Sequence, residues 1–165
     1  MPVEIRQTPT DELEALIPLL LQAEPSESAL RWSLAHLSDT AYRMDDDGQL
    51  VGAATMRWHD EPCEIVEIAI SEERHGQGLG KQFIAWLIAE ARQRGKREIV
   101  VGTGNSSVNN IIFYQKCGFR MDHVRHDYFW YYREPIFEHG IRVRDMLVFR
   151  YDLTEGASAS ADRRE

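Results

Sequence analysis

The feature that most restricts the fold of this chain is the glycine-rich segment ERHGQGLGKQF, which runs from Glu73 to Phe83. It follows an apolar, β-branched run that ends near Ile70 and precedes an amphipathic stretch that begins near Leu79, so it joins a predicted strand to a predicted helix. The first N–H groups of a helix carry a partial positive charge, and glycines let a ligand approach the backbone closely. The segment therefore predicts a phosphate-binding turn at the start of a helix.

Two common phosphate-binding motifs do not fit this segment. A dinucleotide-binding G-x-G-x-x-G motif that starts at Gly76 would need a third glycine where Lys81 stands. A Walker motif, G-x-x-x-x-G-K-[ST], that ends at Gly80 and Lys81 would need a glycine and a hydroxyl where His75 and Gln82 stand. Both mismatches disfavour a nucleotide-binding protein of either kind.

The rest of the chain alternates between strand and helix patterns. In chain order these predict a strand at 3–8, helices at 11–21 and 26–38, a hairpin at 42–58, a strand at 63–70, a helix at 79–94, a strand at 98–103, a helix at 107–117, and two long strands as far as 153 around a loop at 134–140. Asp11 is the predicted N-cap of the first helix, and Pro18 predicts a kink or a break within it. The order indicates an α/β (α+β) fold, a mixed sheet of about seven strands with about four helices on its faces.

Composition excludes several classes of protein. The 165 residues suit one domain, predicted at 1–153, and the small polar residues 154–165 are expected to be a disordered tail. No apolar run is long enough to span a membrane, and the N-terminus lacks the basic start and the apolar stretch of a secretory signal. A cytoplasmic protein without a membrane partner is therefore expected. The net charge of −8 disfavours nucleic-acid binding. Cys63 and Cys117 lack the spacing of a disulfide framework or a zinc site, and no metal is expected.

A second motif, NNIIFYQKCGFR, runs from Asn109 to Arg120 and places Tyr114 in the middle of a predicted helix, four residues before Gly118. Together with RHGQGLGK about forty residues earlier, it resembles the GNAT superfamily of N-acetyltransferases, over roughly residues 3–150. The resemblance implies a GNAT-like, largely antiparallel central sheet. It also implies that the bound phosphate belongs to acetyl-CoA, used as a co-substrate.

The resemblance implies a role for each part of these motifs. The loop that would bind the pyrophosphate of acetyl-CoA consists of His75, Gly76, Gln77, Gly78, Leu79, Gly80 and Lys81. The backbone of the preceding strand, Ile68, Ala69 and Ile70, would line the pantetheine arm.

Three further residues in or near the second motif take roles that the resemblance implies. Tyr114 would act as the general acid toward the departing thiolate. Where family members often carry an asparagine seven residues before this tyrosine, the chain has Ser107, so Asn105 or Asn109 is expected to replace it in binding the cofactor.

Glu67 is the candidate general base, because it lies on the strand that would run beside the acetyl group. A chain of water molecules is the alternative. Strict alternation along a strand would point Glu64, three residues away, to the opposite face.

The segment DYFWYY, from Asp127 to Tyr132, places five aromatic residues in a row. They cannot all face one core, so some are expected to be exposed or to contact a partner. One interpretation is an aromatic wall for an amine, with Asp127, Glu134 and Glu138 nearby. The other is ordinary strand packing with one exposed ring. The resemblance implies an acceptor pocket or a subunit contact here, and hence a homodimer as one oligomeric state.

The sequence thus predicts an acetyl-CoA-dependent N-acetyltransferase that acts on a primary amine, a small molecule rather than a protein. The alternative is a catalytically silent acyl-CoA-binding module on the same fold. The hydroxyl of Tyr114 favours the enzyme, because a binding module has no need of an acid at that position.

Overall fold

A computed structural model of the chain describes residues 2–154. Its strands, in chain order, are β1 (Val3–Gln7), β2 (Thr40–Asp46), β3 (Gln49–Arg57), β4 (Cys63–Ile70), β5 (Glu98–Gly104), β6 (Arg120–Arg125), β7 (Phe137–Glu138), β8 (Ile141–Arg142) and β9 (Met146–Asp152). Its α-helices are α1 (Ile17–Leu20), α2 (Glu27–His36), α3 (Leu79–Gln93) and α4 (Val108–Lys116). Two 3₁₀ helices, Thr10–Leu16 and Glu72–Arg74, precede α1 and α3.

The main sheet has seven strands in the order β1-β2-β3-β4-β5-β9-β6, and β7 and β8 form a separate hairpin. Every neighbouring pair in the main sheet is antiparallel except β4 and β5, which run parallel. The mixed, largely antiparallel sheet and the four helices predicted from the sequence are therefore confirmed. The predicted hairpin between β2 and β3 turns at Asp47 and Gly48, both of which have positive φ angles.

Two apolar clusters cover the two faces of the sheet. One is built on α3 and α4 and includes Phe83 and Tyr114, whereas the other is built on the first 3₁₀ helix, α1 and α2 and includes Leu16 and Leu30. The adjacent residues Ala53 and Ala54 of β3 belong to different clusters, as alternation along a strand requires. The sheet is thus buried on both faces, with one pair of helices on each.

The first predicted helix is interrupted, as Pro18 indicated. Residues 10–16 form a 3₁₀ helix, and the single turn of α1 begins at Ile17 with Pro18 in its first turn, where proline needs no N–H partner. The predicted N-cap role of Asp11 is wrong, because Pro9 precedes the first helical residue and Asp11 lies within the first turn.

The two long strands predicted after α4 are also wrong in part. β6 ends at Arg125, and residues 127–132 form a series of turns because the backbone of Asp127 takes a φ of 56°. The N–H groups of Trp130 and Tyr132 donate to the carbonyls of Asp127 and Phe129 rather than to a neighbouring strand. The predicted loop at 134–140 contains β7 and leads into β8. The aromatic segment is therefore a compact turn that packs on itself.

One residue of β4 has no partner on β3. Ile65 pairs with Met56 and Glu67 pairs with Thr55, so Val66 is an extra residue, a β-bulge. The bulge shifts the alternation of β4 by one residue at this point, which has a direct effect on the carboxylates described below.

Two further findings concern the ends of the chain and its helices. The predicted tail, residues 154–165, lies outside the described residues except for Thr154, which donates to the carboxylate of Asp152. None of the helices within residues 2–154 combines the length and the apolar character of a membrane span.

Candidate active site

A cavity of about 1580 Å³ opens where β4 and β5 separate. The two strands pair only over Cys63–Ile65 and Ile99–Val101, although β4 continues to Ile70 and β5 to Gly104. The ends of β4 and β5 that do not pair with each other line the cavity. Residues of α2, α3, α4 and the aromatic segment line it as well. The gap in the sheet thus gives the cavity access to side chains from both faces.

The glycine loop closes one end of this cavity. Gly78 immediately precedes α3 with a φ of 79°, a left-handed conformation that favours glycine, and no side chain caps the helix. The first N–H groups of α3 therefore lack the capping partner that most helices have. A side chain at Gly78 would meet no atom within 4 Å, so the space beside this backbone is open. These N–H groups are available to an anion in the cavity.

Close packing holds the loop against the strand and the next helix. A Cβ on Gly80 would lie 3.1 Å from Cζ of Phe113, so any residue larger than glycine would require the Phe113 ring to shift. His75 donates from Nε2 to the carbonyl oxygen of Ile70 at 2.7 Å, which links the loop to the end of β4. The position of the loop is therefore fixed by contacts on both sides.

The cations around the loop are not equivalent. Arg74 donates to Gln77 and forms an ion pair with Asp46, so its charge is already compensated. Lys81 and Lys116 both line the cavity, and within residues 2–154 neither forms an ion pair. These two lysines therefore supply the positive charge that is free to meet a phosphate group. Lys116 was not singled out from the sequence.

Tyr114 enters the cavity from α4 and is only 5% exposed. Its ring packs against Phe119 and Phe149, with centroid distances of 6.1 Å and 5.8 Å. Within the described part of the chain, its hydroxyl makes no hydrogen bond. Burial raises the pKa of the Tyr114 hydroxyl, so it keeps its proton and remains a donor at neutral pH.

Glu67 enters the cavity from the opposite face of the sheet and is 9% exposed. Its carboxylate accepts hydrogen bonds from Ser33 of α2 at 3.0 Å and from Thr55 of β3 at 2.6 Å. Burial raises the pKa of Glu67, and the two hydroxyl donors offset only part of that shift. Such a carboxylate accepts a proton more readily than an exposed one, which suits a general base.

The expected orientation of Glu64 is wrong, because the bulge at Val66 resets the alternation of β4. Glu64 lies on the same face as Glu67 and lines the same cavity. Its carboxylate is paired with Arg57 at 3.0 Å and with Arg125 at 3.6 Å. Glu64 is therefore a neutralised acid near the base, rather than a residue of the opposite surface.

Most of the residues expected at the cofactor site line the cavity. These are Ile68, Ala69, Ile70, His75, Gly76, Gly78, Leu79, Gly80 and Lys81. Gln77, Asn105 and Asn109 do not line it.

Asn105 has a structural environment of its own. Its Oδ1 accepts from the N–H groups of Arg144 and Asp145, and its Nδ2 donates to the carbonyl of Arg142. Asn110 lines the cavity instead and donates to the hydroxyl of Thr103 on β5. These asparagines could not be ranked from the sequence, since all of them fall in or near one predicted helix.

Glu24, which sequence reasoning missed, lies at the far end of the cavity. It is 8% exposed and sits between α1 and α2, in a loop whose sequence is typical of a solvent-facing turn. The hydroxyls of Tyr131 and Tyr132 donate to its carboxylate at 2.7 Å and 2.8 Å. The aromatic segment is thus joined to the N-terminal helices through one acid.

The acids expected beside the aromatic segment have other partners. Asp127 is paired with Arg144, and Glu138 accepts a hydrogen bond from Ser107. Glu134 does not line the cavity. The aromatic wall itself is present, because residues 128–132 all line the cavity.

No group of three or more potential metal ligands occurs within residues 2–154. His123 contacts Asp122 at 2.6 Å, and His126 lies 3.7 Å from Asp145. Burial raises the pKa of the Cys117 thiol, which disfavours the thiolate that an acyl-cysteine intermediate would require.

Comparison with known proteins gives similarities over most of the chain. The model of the acetyltransferase (GNAT) family matches residues 6–119. The uncharacterized N-acetyltransferase YvbK of Bacillus subtilis is 37% identical over 153 residues, which are 92% of this chain and 96% of that protein.

Two solved structures share the fold at comparable identity. A GNAT family acetyltransferase of Elizabethkingia anophelis with acetyl-CoA bound is 32% identical, with a TM-score of 0.80 over 91% of this chain and 97% of its own. A Bacillus subtilis acetyltransferase in complex with CoA is 36% identical, with a TM-score of 0.77 over 91% and 97% of the two chains.

Proposed function

Because the chain belongs to the acetyltransferase (GNAT) family, we propose that it transfers an acetyl group from acetyl-CoA directly to the primary amine of a small molecule. Membership of the family makes the chain an acyltransferase. The observation that carries the finer proposal is the entry of Glu67 and Tyr114 into one cavity from opposite faces of the sheet. Direct acyl transfer needs a base on the side of the amine and an acid on the side of the leaving thiolate.

The residues around the glycine loop fit acetyl-CoA. The uncapped N terminus of α3 offers N–H groups to a pyrophosphate, and Lys81 and Lys116 add unpaired positive charge. Where β4 and β5 no longer pair with each other, their facing edges offer backbone N–H and C=O groups to an extended chain such as the pantetheine arm. When bound, acetyl-CoA supplies an acetyl group activated as a thioester.

The two side chains perform the proton transfers. Glu67 takes a proton from the amine as its nitrogen bonds to the carbonyl carbon, and Tyr114 gives its hydroxyl proton to the sulfur as the carbon–sulfur bond breaks. A backbone N–H of β4 near Ile70 polarises the carbonyl oxygen. The products are an amide and a free thiol, and the protons balance once Glu67 releases its proton to solvent and Tyr114 takes one up. A water chain between the amine and Glu67 is compatible with the same roles.

The test is a calorimetric titration of acetyl-CoA into the native chain and into Gly78→Glu. The native chain is expected to bind, whereas the variant places a negative side chain in the space meant for the pyrophosphate and is expected not to bind. Gly48→Glu is the matched control, because Gly48 has a similar φ of 77°, equally open surroundings and no place in the cavity lining. Absence of binding to the native chain would overturn the proposal.

An assay for released thiol with a library of primary amines then separates the enzyme from a silent binding module. Turnover with any amine supports the enzyme, and binding of acetyl-CoA without turnover supports the module. The unbonded hydroxyl of Tyr114 favours the enzyme.

Five further statements from the sequence stay predictions that belong to this proposal. They are an acetyltransferase domain at 1–153, a homodimer, a cytoplasmic location, and the absence of metal and of nucleic-acid partners. Sedimentation analysis of the purified chain tests the homodimer.

A further inference from the structure

We propose that the acceptor is a dicationic amine, in which one primary amine reacts beside Glu67 while a second protonated nitrogen binds Glu24. This inference rests on the proposed function for its reacting amine. It adds the class of acceptor and the residue that selects it.

Glu24 is surrounded by neutral hydrogen-bond donors. Its carboxylate accepts from the hydroxyls of Tyr131 and Tyr132 and from the N–H of Ser26 at 3.1 Å, and all three donors are neutral. Within residues 2–154 no lysine, arginine or histidine forms an ion pair with it. A carboxylate with 8% exposure and no counter-ion is costly unless a cation arrives from outside the chain.

A second carboxylate nearby is in the same state. Within the described residues, the carboxylate of Glu67 accepts hydrogen bonds only from neutral hydroxyls, and the pKa of Glu67 is raised by burial and, to a smaller extent, by the charge of Glu24. Glu64, by contrast, is neutralised by Arg57 and Arg125. The acceptor end of the cavity therefore holds two negative groups that no described residue compensates.

The walls around Glu24 suit a cation as well. The rings of Tyr131 and Tyr132 lie 4.7 Å apart, and Phe129 stacks on Tyr132 at 5.6 Å with an angle of 6° between the planes. Aromatic faces attract ammonium groups and do not attract carboxylates. An amine that carries a carboxylate would be repelled by Glu24 and would gain nothing from these rings.

The chemistry of transfer explains why two nitrogens are needed. The reacting amine attacks in its neutral form, and Glu67 accepts its proton as the bond to the carbonyl carbon forms, so the nitrogen of a monoamine supplies no cation to Glu24 during the reaction. A second nitrogen stays protonated and can remain at Glu24 while the first one reacts. The binding energy of the second nitrogen then holds the first in place.

The experiment uses linear diamines from diaminopropane to diaminohexane, each beside the monoamine and the ω-amino acid of equal length. The native chain, with saturating acetyl-CoA, is expected to give a kcat/KM for the best diamine about tenfold or more above its monoamine, because a hydrogen bond to a charged group is worth about one such factor. The ω-amino acid is expected to be the poorest of the three. Equal values for the diamine and the monoamine at every length would overturn the proposal.

Glu24→Gln assigns the effect to its residue. The ratio of diamine to monoamine is expected to fall to about one, mainly through a higher KM for the diamine. Glu27→Gln is the control. It removes the same charge three residues along the chain from Glu24, and the side chain of Glu27 is 58% exposed and paired with Arg31. A ratio that survives Glu24→Gln would overturn the role of Glu24. The comparison of amines on the native chain needs no variant. It therefore tests the preference for a dicationic acceptor even if Glu24→Gln does not fold.

A binding measurement separates this inference from the proposed function. Diamines are titrated by calorimetry into the native chain and Glu24→Gln, both saturated with CoA. Binding that depends on Glu24 supports the inference even if no amine is acetylated, in which case the proposed function alone fails. If monoamines are acetylated but diamines bind no better than they do, the inference fails and the proposed function stands.

Discussion

At the scale of single residues, the position of Glu67 decides its acidity. Burial raises the pKa of its carboxyl above that of an ordinary glutamate, although Thr55 and Ser33 donate to it. We expect kcat/KM to rise with pH as Glu67 loses its proton, with an apparent pKa above the usual glutamate range. Glu67→Gln is expected to remove this limb of the pH profile and to lower kcat by about 10²- to 10⁴-fold. An unchanged profile in the variant would contradict the assignment.

The same shift has a consequence for stability. Since the folded chain holds the Glu67 proton more tightly than the unfolded chain, the contribution of Glu67 to the free energy of unfolding falls as the pH rises from the unfolded pKa through the folded one. The free energy of unfolding in urea is measured for the native chain and for Glu67→Gln across this pH window. With increasing pH, the free energy of unfolding of the variant is expected to rise relative to that of the native chain. A trend in the opposite direction would exclude a raised pKa.

Tyr114→Phe isolates the hydroxyl from the ring. The packing against Phe119 and Phe149 is kept, so the affinity for acetyl-CoA is expected to stay nearly the same. Turnover is expected to fall by about 10²-fold or more, because the thiolate then leaves without a positioned acid. Steady-state kinetics and calorimetry on the same preparation check both parts. An unchanged kcat would remove Tyr114 as the acid.

At the scale of elements, Asn105 is a clamp between β5 and the segment before β9. Its three hydrogen bonds to residues 142–145 predict that Asn105→Ala loses about 1–3 kcal/mol of unfolding free energy and binds acetyl-CoA as before. Asn109→Ala is the control, since Asn109 is exposed and its side chain makes no hydrogen bond within residues 2–154. Chemical denaturation with calorimetry separates the two roles, and a loss of acetyl-CoA binding at full stability would favour the role expected from the sequence.

The elements also show where sequence reasoning reaches and where it stops. The glycine loop was predictable because glycines just before a helix permit a left-handed backbone and the close approach of an anion, and both depend only on local sequence. The bulge at Val66 was not, because a bulge is set by pairing with β3 and a single strand shows only its own alternation. Glu64 was misplaced for that reason. The turns at 127–132 were missed because aromatic residues favour strands, so the composition of this segment predicted extended structure.

At the scale of the whole molecule, charge is divided unevenly. The chain carries a net charge of −8. Within residues 2–154, however, Lys81 and Lys116 of the cavity lining form no ion pair with an acid, and Glu24 and Glu67 form none with a cation. A polyanion such as acetyl-CoA is therefore repelled by the molecule as a whole and attracted locally.

This division predicts a dependence on salt. We expect Lys81→Met to raise the KM for acetyl-CoA about two- to fivefold at low ionic strength, with a smaller difference from the native chain as salt is added. Lys96→Met removes a charge outside the cavity and is expected to behave like the native chain. A salt-independent effect of Lys81→Met would point to packing rather than charge.

The hydrogen bond between Tyr131 and Glu24 joins residues 107 positions apart in the chain. The family model covers Glu24 and the glycine loop but ends at residue 119, before the aromatic segment begins. Under the proposed role of Glu24, a substitution at Tyr131 or Tyr132 would therefore alter the acceptor end of the cavity through an acid more than one hundred positions earlier. Selection for a new acceptor would then act on two distant groups of codons, those of the aromatic segment and the single codon for Glu24.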